Sequence, residues 1–462
     1  MHPVAVIDIG KTNAKLAIVD AAERREIDVL TKPNTTVNGP PYPHFDVSAI
    51  WQFVISGLKI FAQKYRIKAI TVTTHGACVA LLNQQGELAA PILDYEYSGP
   101  DRCREAYEKI RPPFKLTGSP RLAGGLNVGA QIYWQLLQQP ELKRNVSSIV
   151  MYPQYWTYRL CGVLANEPTS LGAHTDLWSP ATGSFSTLVD TLGIADKIAP
   201  PRPSTEVLGT LTTAIANCTG LPADTPVYCG IHDSNASLYT HLNNMQPPFS
   251  VVSTGTWVVC MSPGSVNHPL DETRDTLLNV SVQGKPVPSS RFMGGREYDY
   301  LFRTYQAEQT HTVNTEVLKK SSFILPAVES TTGPFPHVTY RWTIDPLLLS
   351  AEERYNVISF YLALMTATCL SLCHSTGPVI VEGPFTKNIP FCTMLSVATG
   401  CEVLGDTGGT TGTSIGAALL AFSSSNEGKN HYTNLAANVD RVALQAYCKA
   451  WQQRTTLHTR IG

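Results

Sequence analysis

The first twenty residues alternate between apolar runs and one short polar stretch. Val4–Ile7 and Leu16–Val19 are apolar, and they flank the polar sequence DIGKTN, which begins at Asp8. Two such runs on either side of a glycine-containing turn predict a β-hairpin. A tight turn needs only a Gly or an Asn, whereas this one also carries a carboxylate, a lysine and a threonine. We therefore expect the turn to hold a ligand.

After the hairpin, the pattern predicts strands that alternate with helices up to about Tyr228. Helical spacing covers Ser48–Tyr65, and a strand follows at Ala69–Thr73. This order is typical of an α/β unit with buried and partly parallel strands. The sequence NNMQPPF, which begins at Asn243, predicts a hinge between two domains.

The sequence after the hinge repeats the opening pattern. FSVVSTGTWVVC has an apolar strand, the small polar turn Ser253–Thr256 and a second apolar strand. Because both halves begin with the same unit, we predict an internal repeat of two similar domains, 1–243 and 249–462.

The end of the chain also predicts alternating elements. We expect strand Val379–Val381, helix Asn388–Thr399, strand Glu402–Leu404 and helix Ser414–Ala421, with a glycine- and threonine-rich loop before the last helix. A strand, a glycine-rich loop and a helix N-terminus together suit phosphate or ribose groups, because free backbone N–H groups point at the ligand. Helical spacing at Leu435–Arg454 predicts a tail helix that packs on the body.

Composition narrows the function classes. The chain has 462 residues, 43% of them apolar and 15% charged, with a formal net charge of −1. A nearly neutral chain lacks the field that gathers nucleic acid or anionic membrane. We therefore expect a small molecule or another protein as the partner, with no nucleic acid and no membrane, and we leave a homodimer open.

The apolar segments and the cysteines also narrow the class of protein. The longest apolar segment, Val357–Cys373, is interrupted by polar residues and predicts a buried helix. The 11 cysteines include no CxxC pair, and Cys369 and Cys373 lack further ligands at metal spacing, so we interpret them as apolar core residues. These features predict a reduced, cytoplasmic protein.

Two carboxylates follow strands and are candidates for chemistry. Asp8 repels phosphate by itself, but it fits a turn that holds Mg²⁺ beside nucleotide phosphates. The alternative is that both hairpin turns are merely tight turns. Asp233 follows a predicted strand and precedes a helix, where it could deprotonate a hydroxyl or only cap the helix. We interpret His232 as a packed neighbour and not as a second base.

These motifs, in this order, resemble the FGGY carbohydrate kinases of the actin-like, hexokinase-like ATPase superfamily. The resemblance rests on five segments that span nearly the whole chain: Asp8-x-Gly10-x-Thr12-Asn13-x-Lys15, VMYPQYWTYRLCG, Gly230-x-His232-Asp233, Ser253–Thr256 and Gly416–Ala418. It implies an α/β fold with two actin-like (ribonuclease H-like) domains that flank a deep catalytic cleft. It also implies ATP and Mg²⁺ as cofactors and a sugar as substrate.

The resemblance assigns roles residue by residue. It places Asp8 at the metal and makes Asp233 the general base. His75, Gly76, Asp94 and Glu96, together with Asp233, are its substrate-binding candidates. The nucleotide-binding residues that it implies are Thr12, Asn13, Lys15, Thr254, Gly255, Thr256, Gly383, Gly408 and Gly409.

Several positions depart from the family pattern. Lys11 stands where members usually carry Thr or Ser, and it either assists the phosphoryl group or points to solvent, the interpretation that we favour. Gln131 stands where many members have Lys, and ILDYEYSGPDR replaces the usual W-x-D-x-R run on the sugar side. Arg296 and Glu297 either face ligand or pair with each other.

We predict an ATP-dependent kinase that phosphorylates a primary hydroxyl of a ketose, such as xylulose, ribulose, rhamnulose or fuculose. A short polyol such as glycerol stays open as a substrate. A glucokinase-type enzyme is disfavoured because its cysteine-rich zinc motif is absent from the sequence. A non-catalytic sugar sensor is disfavoured because Asp233 is present.

Overall fold

The computed structural model describes residues 2–265, 269–406, 412–422 and 432–461. Its strands are β1 Pro3–Ile9, β2 Asn13–Asp20, β3 Arg25–Pro33, β4 Thr36–Val37, β5 His44–Phe45, β6 Ala69–Thr74, β7 Val79–Leu82, β8 Ser148–Met151, β9 Trp178–Ser179, β10 Ser184–Phe185, β11 Val207–Thr210, β12 Pro226–Tyr228, β13 Ile231–His232, β14 Ser250–Thr254, β15 Val258–Met261, β16 Thr276–Val280, β17 Pro286–Phe292, β18 Ile324–Leu325, β19 Arg341–Trp342, β20 Val379–Glu382, β21 Val403–Asp406 and β22 Tyr432–Asn434.

The α-helices are α1 Val47–Ala62, α2 Arg104–Glu108, α3 Phe114–Thr117, α4 Val128–Gln138, α5 Leu142–Asn145, α6 Tyr152–Cys161, α7 Pro168–Leu171, α8 Leu188–Leu192, α9 Thr213–Thr219, α10 Asp233–Leu242, α11 Gly294–Thr304, α12 Thr315–Lys320, α13 Ala351–Leu372, α14 Ile389–Thr399, α15 Thr413–Leu419 and α16 Arg441–Ile461. Short 3₁₀ helices occupy Gly99–Cys103, Glu272–Arg274, Pro346–Leu348 and Pro384–Lys387.

The chain forms two compact units. Unit 1 comprises Met1–Asn244, Leu278–Pro286 and Thr410–Gly428, and unit 2 comprises Met245–Leu277, Val287–Gly409 and Lys429–Gly462. The predicted functional domains, 1–243 and 249–462, stay a prediction. Units 1 and 2 differ from these domains because two segments of the second half of the chain, one of which contains α15, belong to unit 1.

The main sheet of unit 1 has the order β11-β12-β6-β1-β2-β3, and β13 also pairs with β6. β1 pairs antiparallel with β2 and parallel with β6, so it has a neighbour on each edge. Val4–Ile7 is buried on both faces for this reason, which explains why it is an unbroken apolar run. The predicted opening hairpin and the strand at Ala69 are confirmed.

Helix α1 shows how local sequence fixes an element in unit 1. Asp46 accepts a hydrogen bond from the backbone N–H of Ala49 and so caps the helix. Ile50, Val54 and Phe61 then bury one face of the helix in a core that also contains β1 side chains. The helix begins at Val47, one residue before the predicted start.

The main sheet of unit 2 has the order β16-β17-β15-β14-β20-β21-β22. β14 pairs antiparallel with β15 and parallel with β20, as β1 does with β2 and β6. The order β17-β15-β14-β20-β21 therefore matches β3-β2-β1-β6-β12 of unit 1. This correspondence confirms the predicted repeat of two α/β units.

Helix α13 is the central helix of unit 2. Ser350 and Glu353 form a reciprocal capping box at its start. Among the described helices, it alone is long and apolar enough to cross a membrane by length and composition, and 78% of its apolar window is buried. Such burial is that of a core helix, as predicted. The tail helix is also found, as α16, and its Trp451 lies in the core of unit 2.

Candidate active site

The turn after β1 gathers charged side chains in unit 1. Asp8 lies opposite Lys15 in the hairpin register. The Lys15 ammonium is 3.5 Å from Asp8 Oδ2 and 3.0 Å from Glu26 Oε1 on β3. The Ser414 hydroxyl, on α15, donates to Asp8 Oδ2 at 3.4 Å. Two carboxylates thus share one ammonium.

The positive charge around Asp8 does not offset the cost of burying its carboxylate. Burial raises the pKa of Asp8 to about 6; Lys15 opposes the rise and the negative charge of Asp233 adds to it. Mg²⁺ is commonly held by one or two carboxylates, with substrate phosphates and water completing its shell. Asp8 offers such a hard oxygen ligand. The residues present therefore fit Mg²⁺ arriving with a nucleotide.

Thr12 and Asn13 lie at the tip of the same turn, and both are exposed. The Gly10 N–H donates to the Asn13 carbonyl at 2.9 Å, which closes the turn. The Asn34 side-chain amide donates to the Gly10 carbonyl at 2.8 Å and braces the turn from behind. The turn is thus fixed at its base and open to solvent at its tip.

Asp233 is the first residue of α10 and follows β13 directly. Its carboxylate is 31% exposed and accepts a hydrogen bond from the Ser234 N–H at 2.6 Å. His232 Nε2 is 3.2 Å from the same oxygen, and the Asn235 amide nitrogen is 3.1 Å from His232 Nδ1. An amide nitrogen can only donate, so Nδ1 accepts and Nε2 carries the proton that faces Asp233. His232 is therefore a close polar neighbour of the predicted base, at 3.2 Å from its carboxylate.

His75 and Gly76 follow β6, beside the end of β13. The His75 ring lies 5.0 Å from the Phe45 ring and 5.3 Å from the Tyr95 ring. Burial lowers the pKa of His75 to about 4, so the ring is neutral at pH 7. Its Nδ1 donates to the Gly76 carbonyl, which leaves Nε2 as a buried acceptor without a partner among the described residues.

Gly76 also leaves room for the His232 ring. A Cβ at Gly76 would lie 2.8 Å from His232 Nε2. A side chain at this position would therefore displace His232 from Asp233.

Asp94 and Glu96 approach the turn from the loop that precedes the first 3₁₀ helix. Lys11 pairs with Asp94, and its ammonium is 3.3 Å from Glu96 Oε2. The same ammonium lies 5.0 Å from the centre of the Phe45 ring and 4.8 Å from that of Tyr95. The interpretation that Lys11 points to solvent is wrong, because both carboxylates and both rings draw it inward.

In unit 2, the turn Ser253–Thr256 carries hydroxyls and no charge. Thr254 is buried, and its hydroxyl donates to the Glu382 carbonyl and accepts from the Phe385 N–H. Ser253, Gly255 and Thr256 are exposed. The Thr254 hydroxyl therefore supports the turn from inside, whereas its neighbours face solvent.

Gly383, after β20, lies against this turn within unit 2. Its φ is +81°, and a Cβ there would lie 2.1 Å from the Thr254 carbonyl oxygen. Only glycine fits this close approach. Gly408 and Gly409, the remaining nucleotide-binding candidates, lie outside the described residues.

Arg296 and Glu297 do not pair with each other. Arg296 is 3.8 Å from Glu329, whereas Glu297 is buried and accepts from the Tyr361 hydroxyl at 2.8 Å. Burial raises the pKa of Glu297 to about 7. Both predicted alternatives for Glu297 are thus replaced by a structural role inside unit 2.

Both halves of the chain match one family. Residues 4–240 match the FGGY family of carbohydrate kinases, N-terminal domain, and residues 246–430 match carbohydrate kinase FGGY, C-terminal domain. The chain belongs to the FGGY family of carbohydrate kinases. The predicted resemblance and the two-unit α/β fold are confirmed.

Relatives of known name agree with this family. A carbohydrate kinase from Novosphingobium aromaticivorans has a TM-score of 0.90, with 32% identity over 99% of both chains. An L-fuculokinase from Salmonella typhi is 24% identical over 269 residues, or 56% of each protein. This FGGY chain thus spans just over half the length of the curated relatives that it matches. A Plasmodium falciparum glycerol kinase with ADP shares the fold, with a TM-score of 0.78, 14% identity and 98% coverage of both chains.

Sequence reasoning missed two polar partners and one difference in exposure in this FGGY chain. Glu26 shares Lys15, Ser414 contacts Asp8, and Ser253 is exposed where Thr254 is buried. Alternation along β14 could have separated Ser253 from Thr254, because successive strand residues face opposite sides. The contact of Ser414 with Asp8 has no local signal.

Among the described residues, no group of three or more His, Cys, Asp or Glu side chains is arranged to hold a metal ion. The interpretation of Cys369 and Cys373 as core residues agrees with this, because both are fully buried. A metal at Asp8 would therefore depend on ligands from the nucleotide and from water.

Proposed function

We propose that this FGGY chain transfers the terminal phosphoryl group of ATP to a primary hydroxyl of a ketose, with Mg²⁺ as the accompanying ion. The observation that carries the proposal is the pair Asp8 and Asp233. Asp8 lies at the end of β1 and Asp233 directly follows β13, two strands of the same sheet in unit 1, and their charges interact. One carboxylate that needs a cation, beside one that is part-exposed, suits phosphoryl transfer to a hydroxyl.

In the proposed reaction, Asp233 accepts the proton of the sugar hydroxyl. The hydroxyl oxygen then bonds to the terminal phosphorus as the bond from that phosphorus to the bridging oxygen breaks, and ADP leaves. The Ser234 N–H donates to the carboxylate and orients it, and the His232 ring lies 3.2 Å from the same oxygen. Asp8 would hold Mg²⁺, which neutralises phosphate charge when bound.

Phosphate contacts are proposed for both turns. In unit 1, Thr12, Asn13 and Lys15 are the ligands, the first two because they are exposed at the tip of the turn. In unit 2, we propose Gly255 and Thr256, with Ser253 in the place of Thr254, because the Thr254 hydroxyl is already engaged.

The remaining contacts are proposed for the sugar and for adenosine. His75, Gly76, Asp94 and Glu96 line the sugar side of Asp233. Gly383 borders the nucleotide, and Gly408 and Gly409 keep their predicted role there. The ADP-bound glycerol kinase of the same fold supports ATP as the donor.

A ketose is supported by the L-fuculokinase relative, and a short polyol by the glycerol kinase of the same fold. We propose the cytoplasm as the compartment, because all eleven cysteines are free thiols.

The test is coupled ADP release from Mg-ATP with the purified full chain. The panel contains xylulose, ribulose, rhamnulose, fuculose, glucose, gluconate and glycerol. We expect one ketose to exceed every other compound in kcat/KM by roughly tenfold or more. NMR of the product then assigns the phosphorylated carbon. An aldose, an acid or glycerol in first place would contradict the ketose proposal, and no turnover at all would contradict the kinase proposal.

A further inference from the structure

Lys11 lies on the turn that the proposed mechanism gives to phosphate, yet its side chain leaves that turn. It reaches Asp94, 83 residues away in sequence, and Glu96 beyond it. A lysine ammonium has three N–H donors. One of them donates to Asp94, and the Glu96 carboxylate is at ion-pair distance, so the charge is directed to the sugar-side loop.

The surroundings of Lys11 fix its position. The side chain is 21% exposed, and its ammonium lies within about 5 Å of the centres of the Phe45 and Tyr95 rings. Phe45 is fully buried, and its backbone N–H donates to the Ile92 carbonyl at 3.0 Å. The rings and the carboxylates therefore hold the ammonium from several sides.

Lys11 also decides which oxygens of Asp94 are available. Asp94 Oδ1 accepts from Lys11 and from the Glu96 N–H at 3.1 Å. Asp94 Oδ2 has no hydrogen-bond partner among the described residues, and the side chain is 10% exposed. A carboxylate held by one oxygen presents the other in a fixed direction, which suits a hydroxyl donor.

We infer that Lys11 is a positioning residue for the carbohydrate: it fixes Asp94 and Glu96 so that their free oxygens accept hydroxyl hydrogens from a neutral polyhydroxy substrate. The local charges favour a neutral substrate, because Lys11 faces two carboxylates and Asp233 lies nearby. This inference rests on the proposed kinase activity. It differs from a phosphate role for Lys11, in which the nucleotide and not the carbohydrate would depend on the ammonium.

The test compares Lys11→Met with Lys11→Arg and with the control Lys59→Met. Methionine keeps the length of the side chain without charge, arginine keeps the charge, and Lys59 is an exposed residue near the end of α1. Calorimetry measures the Kd of Mg-ATP, and steady-state kinetics measure KM and kcat for whichever panel carbohydrate turns over best. Melting curves confirm that each variant folds.

We expect Lys11→Met to raise KM for the carbohydrate roughly tenfold or more, because the charge-assisted contact that positions Asp94 is lost. The kcat should fall less than threefold. The Kd of Mg-ATP stays within about twofold, Lys11→Arg recovers most of the loss, and Lys59→Met behaves as wild type. A Kd for Mg-ATP raised tenfold with an unchanged carbohydrate KM would overturn the inference. Unchanged values for both would overturn it as well and leave Lys11 a packing residue.

The two proposals fail separately. If an aldose or glycerol leads the panel, the ketose proposal is wrong, and Lys11 is tested with that compound. If gluconate leads, the neutral-substrate part of this inference is wrong. If nothing turns over, the kinase proposal fails, and calorimetry on Lys11→Met still tests this inference. An unchanged Kd for Mg-ATP supports the inference that Lys11 does not bind phosphate, and a raised Kd overturns it.

Discussion

The hairpin turns of the two units occupy the same place in the repeat but carry different side chains. The hairpin of unit 1 carries Asp8 on β1, Lys11 in the turn and Lys15 on β2, whereas Ser253–Thr256 in unit 2 offers only hydroxyls and backbone groups. Both follow the central strand of their sheets, β1 and β14, and both strands pair in the same way with their neighbours. The repeat thus conserves the backbone while the side chains diverge.

This difference indicates that the hairpin of unit 1 acts in the reaction, whereas Thr254 and Gly383 of unit 2 stabilise the structure. In unit 1, charged groups interact with one another and with Asp233, so removing one changes the electrostatics of all. In unit 2, the Thr254 hydroxyl donates to the carbonyl at the end of β20, and Gly383 leaves room for the turn. We therefore expect substitutions in unit 1 to act mainly on activity, and those at Thr254 and Gly383 to act mainly on stability.

The largest expected effect is that of Asp8→Asn. Loss of a carboxylate beside the phosphate site should lower kcat/KM roughly 10²–10³-fold, because several kcal/mol of charge stabilisation depend on the ion that it helps to hold. Activity measured against Mg²⁺ concentration gives the apparent affinity, which should also weaken. The melting temperature should hold or rise, because burial already disfavours the charged form of Asp8. Loss of activity together with loss of folding would contradict this account.

Gly383→Ala tests the supporting role of unit 2. Alanine meets the Thr254 carbonyl at 2.1 Å and must adopt φ near +81°. Gly400→Ala is the matched control, because Gly400 has φ +72° but no atom within 4 Å of the added Cβ. Both variants carry a backbone cost of about 1–2 kcal/mol. Denaturant unfolding should show Gly383→Ala as less stable by about 1–3 kcal/mol more. Equal losses would mean that the close approach to the turn has no energetic importance.

Glu297→Gln contrasts a purely structural carboxyl with Asp8. The folded-state pKa of Glu297 is raised to about 7 from 4.5, so the native state keeps a proton that the unfolded chain has lost. Its contribution is fully present below pH 4.5 and is lost as the pH rises to about 7, by up to about 3 kcal/mol. Unfolding measured at several pH values should show a shallower fall for Glu297→Gln than for wild type. Parallel curves would place the pH dependence elsewhere.

The smallest effects separate two neighbouring hydroxyls. Thr254→Val removes the hydrogen bonds of the Thr254 hydroxyl with the Glu382 carbonyl and the Phe385 N–H, and it should cost about 1–3 kcal/mol of unfolding free energy. Ser253→Ala, at an exposed position, should stay within about 0.5 kcal/mol. Kinetics should show the reverse order, with a few-fold rise in the KM for Mg-ATP for Ser253→Ala. A greater loss of stability for Ser253→Ala would contradict the assigned orientation of the strand.

Much of this fold follows from local patterns. The apolar runs on either side of Asp8, the capped spacing of α1 and the repeat at Ser253 each reflect short-range regularity, and each is found. The segment after residue 411 shows the limit. Its helix, α15, was expected within the second domain, but Ile415 and Ala418 pack with Ala236 in a core of unit 1.

The site was predictable only where residue type and strand position coincide. Asp8 lies at the end of β1 and Asp233 directly follows β13, and a sheet brings strand ends together. Lys11 has no such signal, because Asp94 and the Phe45 ring reach it through tertiary contacts. A long flexible side chain has many orientations, and only the folded environment selects among them.

Asp233 is the proposed base, and the turnover of Asp233→Asn on the carbohydrate that leads the panel tests that role. Asparagine keeps an oxygen for the Ser234 N–H at the start of α10 but cannot accept the hydroxyl proton. Asp224→Asn, at an exposed position before β12, is the control. We predict a fall in kcat of roughly 10²–10⁴-fold for Asp233→Asn with normal melting, and wild-type turnover for the control. Unchanged turnover would mean that Asp233 only caps its helix and that the base lies elsewhere.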